Sequence, residues 1–133
     1  MKTNTSIERL KNGNSNFVKN RLSNDNQDSD RRIKTVNGQN PFAIILTCAD
    51  SRVVPELIFD TGLGELFVVR VAGNIANQSS IASIEYAVAH LKVNLIVVLG
   101  HQNCGAVTAA AKGDGGSEHL DHLLNHVKPA ISN

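Results

Sequence analysis

Phe42-Ala43-Ile44-Ile45-Leu46-Thr47-Cys48-Ala49-Asp50-Ser51-Arg52 is the stretch on which the fold turns. Six uncharged, mostly apolar residues run straight into a cluster of reactive groups. A short apolar run of this kind reads as a strand covered on both faces, as in a parallel sheet. Two more runs repeat the pattern. Leu66-Phe67-Val68-Val69-Arg70-Val71 passes into Ala72-Gly73-Asn74, and Leu95-Ile96-Val97-Val98-Leu99 passes into Gly100-His101-Gln102-Asn103-Cys104-Gly105. Helical patterns lie between and after them. Residues 53–60 carry Pro55 in a first turn and Gly62 beyond the end. Residues 80–91 set Ile81, Ile84, Val88 and Leu91 on one stripe behind a serine N-cap. Residues 103–112 are small and helix-forming, and residues 118–128 place Leu120, Leu123, Leu124 and Val127 on one face. The alternation predicts an α/β fold of three layers, a mostly parallel central sheet flanked by helices. Ligands of such sheets collect at the carboxyl ends of the strands, which is where the three polar segments fall.

Upstream, residues 1–40 are rich in Asn, Ser and charge. Ile7, Leu10, Phe17, Val18 and Leu22 suggest a helix over 5–21, against which Gly13 and several asparagines weigh. Residues 23–40 read as loop or a short polar helix. The expected organisation is one domain over 1–133, with a helical and loop arm over 1–40 and a metal-binding α/β core over 41–133. The chain has 133 residues and 13 basic against 12 acidic groups, a net charge of +1. That balance gives no reason to expect nucleic acid or an anionic membrane as partner. No apolar run is long enough to span a bilayer, and the polar start at Met1 lacks a signal core, so a cytoplasmic location is expected.

Cys48 and Cys104 are the two cysteines. They admit three readings: buried inert thiols, a disulfide, which a cytoplasmic chain disfavours, or metal ligands. His101 and Cys104 stand three apart across a strand-to-helix turn, so an imidazole and a thiolate can converge on one ion, with Cys48 from another strand end as the third ligand. Such a nitrogen–sulfur set suits zinc and leaves one position open. A helix N-terminus beside Cys104 favours its thiolate. Asp50 either closes that site as a fourth ligand or pairs with Arg52 and leaves the position to water. Arg70 and Asn74 read as scaffold pairing and turn geometry.

Cys48-Ala49-Asp50-Ser51-Arg52, Arg70-Val71-Ala72-Gly73-Asn74 and Gly100-His101-Gln102-Asn103-Cys104-Gly105-Ala106-Val107 together resemble the β-class carbonic anhydrases. The order and spacing match over residues 40–112 and more weakly from about residue 10. The resemblance implies one Zn2+ per subunit on Cys48, His101 and Cys104. It implies that Arg52 holds Asp50 off the metal in an open state. Gln39, Phe67 and Tyr86 match substrate-pocket positions: the glutamine amide helps hold bicarbonate, and the aromatics line the wall. In the family this pocket lies between two subunits, which implies a homodimer or larger homo-oligomer. The implied reaction is reversible hydration of carbon dioxide to bicarbonate and a proton by a zinc-bound hydroxide, an effect of zinc on water for which carbonic anhydrases are themselves the standard example. Two thiolates donate more charge to the metal than imidazoles do, so alkaline pH should favour the reaction. Bicarbonate regulation of the kind that needs a tryptophan is not expected, since the chain has none.

The sequence departs from the family by stopping at Asn133, before a further helix and strand that family members carry. An apolar edge on the 95–99 strand is therefore expected, open to aggregation or pairing. Two alternatives stand beside hydration: hydrolysis of carbonyl sulfide or carbon disulfide by the same metal, and a zinc-binding or interaction module impaired in catalysis. His119, His122 and His126 fall at i, i+3 and i+7 of the last helix. They could bind a metal, but the pattern reads as a solvated or interface-flanking stripe beside that helix's apolar face.

Overall fold

The computed structural model describes residues 3–131; Met1, Lys2 and Asn133, on which readings above rest, lie outside the described residues. The order of elements is α1 (Thr3–Val18), α2 (Ser29–Thr35), β1 (Ala43–Thr47), α3 (Pro55–Ile58), β2 (Leu66–Arg70), α4 (Gln78–Leu91), β3 (Ile96–Leu99), α5 (Gly105–Lys112) and α6 (Glu118–Val127). The strands form one parallel sheet in the order β2-β1-β3.

The sheet's middle strand is the one on which the sequence reading began, and every residue of β1 is buried. Its two faces feed separate cores. Ala43 and Ile45 pack with Leu66 and Leu95 under Leu10 of α1 and Phe59 after α3. Ile44, on the opposite face, packs with Ala87 of α4 and Val93, and with the half-buried Phe67, Ile84 and Leu91. A third cluster joins Ile75 and Ala110 of α5 to Leu124 and Val127 of α6. Helices on both faces of a parallel sheet satisfy its burial requirement, and the α/β reading holds. Among the described residues no helix is long and apolar enough to cross a membrane.

The apolar edge expected on the 95–99 strand is present: β3 is an edge strand of the described sheet, and Ile96 and Val98 are 48% and 64% exposed while Val97 and Leu99 pack inward. No described element covers the α4-side face of the sheet over β3. Two other local readings are corrected. The predicted stripe on α4 is rotated. Ile84, Ala87 and Leu91 face the sheet, with Ala87 fully buried in the cluster around Ile44, whereas Ile81 and Val88 point outward. Lastly, Gly13 does not break α1, which runs through it to Val18. A Cβ at Gly13 would lie 1.8 Å from the carbonyl oxygen of Phe59, so the glycine is there for helix packing.

Candidate metal centre

The register of the sheet builds the site. Thr47 lies opposite both Arg70 and Leu99, so the three strands end level. The Thr47 hydroxyl donates to the Leu99 carbonyl at 2.9 Å and ties two of those ends together. Cys48 is the first residue past β1, His101 the second past β3, and Cys104 the N-cap of α5. Cys104 makes no side-chain capping bond, which leaves its sulfur free.

The donor atoms of Cys48, His101 and Cys104 all lie within 4.8 Å of one another, and both cysteines are buried. The sulfurs are 3.9 Å apart and unbonded, which rules against the disulfide reading. Two thiolates on one tetrahedral zinc, with bonds of 2.3 Å, stand about 3.8 Å apart, so the pair already has the required edge. Nδ1 of His101 donates to the Gln102 carbonyl at 2.9 Å. This bond directs Nε2 to the cluster, where it is buried without a hydrogen-bond partner. An orphaned buried nitrogen beside two sulfurs is what a metal site looks like when its ligands are oriented in advance.

The electrostatics agree with this arrangement. Burial pushes the Cys48 thiol up, but the neighbouring His101 imidazole, the backbone amides at Asp50 and Gly73, and Cys104 more than offset it. They bring the thiol from 9.0 down to about 7. Of these, the Gly73 amide lies 3.2 Å from Cys48 Sγ. Gly73 has φ +71, and a Cβ there would press on Val127 and Ala106 at 3.1 and 3.2 Å. The adjacent Cys48 sulfur, with desolvation opposing it, leaves the His101 imidazole above its ordinary value.

Asp50 is turned toward Arg52. Arg52 Nε and Nη2 donate to Asp50 Oδ1 and Oδ2 at 2.9 and 2.8 Å, and the Arg52 amide donates to Oδ1 at 2.9 Å. These bonds hold the Asp50 carboxyl well below the usual carboxylate range. Nη2 also reaches the Asn103 carbonyl, at 3.2 Å, joining the pair to the loop that carries His101 and Cys104. Arg70, from β2, donates to the carbonyls of Cys48 and Asp50 at 2.9 and 2.6 Å, the scaffold role read from its position. The bonds from Gly73 and Gln102 to the ligands were not legible in the sequence. Both are backbone contacts, and the one hint was the turn glycine itself.

The carbonic anhydrase family profile matches residues 43–133. The chain belongs to the β-carbonic anhydrase family. "Carbonic anhydrase 2" of Mycobacterium tuberculosis is 54% identical over 126 residues, covering 92% of this chain and 61% of that protein. A carbonic anhydrase of Mycolicibacterium smegmatis is 44% identical over the same shares. Among solved structures, a Coccomyxa β-carbonic anhydrase in complex with acetazolamide superposes with a TM-score of 0.69 at 34% identity, over 77% of this chain and 48% of that one. The β-carbonic anhydrase CcaA gives 0.67 at 35% identity, over 93% and 62%. The chain thus spans 61% of the length of the curated relatives named here.

Of the other residues that the resemblance singled out, none lies at the strand ends that carry Cys48, His101 and Cys104. Gln39 is exposed in the loop before β1, at the amino end of the sheet. Phe67 pairs with Ile44 in the register, three residues before the end of β2, or roughly 10 Å back along the strand. Its ring lies 6.2 Å from that of Tyr86 on α4, which is half-exposed and stacked near His90. The three histidines of α6 do not form a cluster with a third ligand: the only group of three among the described residues is Cys48, His101 and Cys104.

Proposed function

We propose that this chain holds one zinc ion on Cys48, His101 and Cys104 and carries out the reversible hydration of carbon dioxide. The observation that carries the reading is the fork between Arg52 and Asp50. Both carboxylate oxygens are engaged by Arg52, so the aspartate is not free to become a fourth ligand. A structural zinc site closes its tetrahedron with protein groups, whereas a catalytic one keeps a position open. Zinc, when bound, supplies a Lewis acid that makes a coordinated water acidic. The chain's own residues do the rest. The Gln102 carbonyl fixes the His101 ring, the Gly73 amide steadies Cys48, and Arg70 pins the loop between Cys48 and Asp50. Arg52 keeps Asp50 ionised, and a carboxylate in that state would serve as a hydrogen-bond acceptor for a metal-bound water.

The substrate wall is supplied by association. Phe67 and Tyr86 form an aromatic pair, half-buried and half-exposed respectively, that a second subunit could cover, and Gln39 is free to reach across. A homodimer or larger homo-oligomer follows from this reading. A related Sordaria macrospora structure, 35% identical with a TM-score of 0.65, is described as tetrameric. A cytoplasmic setting fits two free thiols.

The test is stopped-flow hydration of carbon dioxide by the zinc-loaded chain, with metal content measured on the same samples. Arg52→Ala should keep its zinc and lose at least about tenfold in rate, because Asp50 is then free to occupy the open position. Parent-level hydration by that variant would remove the fork from the reading. Absence of turnover in the zinc-loaded parent would leave a zinc-binding module.

A further inference from the structure

α6 carries a second pair of metal-competent side chains away from the cysteine cluster. His122 and His126 stand four residues apart on α6, the spacing at which helix side chains lie one above the other. Their ring centroids are 4.8 Å apart, with planes at 63°. Two imidazoles bound to one ion through nitrogens at about 2.1 Å, at tetrahedral to square angles, hold their centroids roughly 4.5–5.2 Å apart. The observed pair falls inside that window before any ion is considered.

The tautomer is set as well. Nδ1 of His126 lies 2.9 Å from the His122 carbonyl, which can only accept, so Nδ1 carries the proton and Nε2 the free lone pair. His101 is oriented in the same way by the Gln102 carbonyl. A ring nitrogen bonded to a backbone carbonyl is the outer contact that metal-binding histidines show, and two histidines at i, i+4 on a helix are a recognised chelating unit. Both rings line an open cavity of about 440 Å³ whose other walls are Asn77, Gln78 and Ser79 at the start of α4. His119, the third member of the stripe, does not line it.

We propose that His122 and His126 form a surface chelate for a borderline divalent cation such as nickel, copper or zinc, distinct from the cysteine-bearing site. Imidazole nitrogens favour these ions over magnesium or calcium. No carboxylate lines the cavity, so the remaining positions go to water or a small anion. The amino end of α4 favours such an anion and disfavours a bare cation, so the ion keeps a solvent or anionic ligand on that side. The proposal does not depend on the hydration reading.

The experiment uses untagged, zinc-loaded chain titrated calorimetrically with nickel(II), with zinc retention checked at the end. About one further equivalent of nickel should bind. His122→Ala and His126→Ala should each weaken it by about tenfold or more, at least the cost of losing an outer contact to a metal ligand, and His119→Ala should leave it unchanged. Proton NMR of the parent provides a reading that needs no variant: nickel should broaden the His122 and His126 ring signals first. The proposal is overturned if the zinc-loaded chain binds no further nickel. It is equally overturned if His119→Ala weakens binding as much as the other two, or if the broadening begins elsewhere.

Discussion

Arg70 bonds to both carbonyls that flank Ala49 and so spans the turn between Cys48 and Asp50. Arg70→Met keeps the length and removes those bonds. Loss of outer contacts of this kind lowers metal affinity by roughly 10- to 100-fold. Competition with a zinc chelator should show that loss, and unchanged affinity would make Arg70 dispensable to the site. At the ligands themselves, Cys104→Ser should remove most of the zinc, as measured by elemental analysis. Cys48 supplies a pH test in the zinc-free chain. Its folded value near 7 lies below the ordinary 9.0. A group depressed in the folded state stabilises it fully above the unfolded value and ceases to do so as pH falls through the folded one. Thiolate ultraviolet absorbance should therefore rise through about pH 7 in the folded zinc-free chain. Rise at only the ordinary thiol value would show that His101 and Gly73 do not act on the sulfur.

Two contacts tie the first helix to the end of α3. Gly13 lets α1 touch the backbone at Phe59, and any side chain there must push the helices apart. Gly13→Ala would raise helix propensity in an isolated helix, yet overpacking of this kind costs about 1–3 kcal/mol. Denaturant unfolding should show a net loss, and a gain would mean that α1 is not docked as described. Asp60 is the second contact. It accepts from Asn16 Nδ2 at 2.8 Å and from the Ser23 amide at 2.9 Å, tying the end of α1 and the following loop to the end of α3. Burial opposes ionisation of Asp60, but these bonds outweigh it and hold the carboxyl below its ordinary value. The contribution is thus present above the ordinary carboxylate range and lost as pH falls through the lowered value. Asp60→Asn keeps the positive φ tolerable and should remove that acid-sensitive part; hydrogen exchange of the Ser23 amide across low pH would report it.

At the scale of the whole molecule, the open question is what faces β3. Ile96 and Val98 present apolar side chains on an edge strand, and edge strands with exposed apolar faces associate. Val98→Lys places a charge there at little cost to a monomer, within about 0.5 kcal/mol for an exposed site. The parent should sediment as a dimer or larger species, and the lysine variant should shift toward monomer. Identical sedimentation would take the β3 face out of the assembly. If the pocket is shared between subunits, hydration activity should also fall on dilution in step with dissociation.

The pattern of apolar runs closed by Cys48, His101 and Cys104 was enough to mark the strands, the parallel sheet and three side chains that come together at its end, because burial in a parallel sheet demands particular residue types at fixed spacing. The pairing of Asp50 with Arg52 was one of two options the sequence left open. Tertiary structure decided between them by bringing the Asn103 carbonyl to Arg52 and thereby holding the guanidinium beside the carboxylate. It also decided which side of α4 meets the sheet. Periodicity marks an apolar stripe but not its rotation, and Ala87 rather than Ile81 or Val88 fits against Ile44. The role of Gly13 was hidden for the same reason: a glycine's value lies in what approaches it, and Phe59 is far away in the chain.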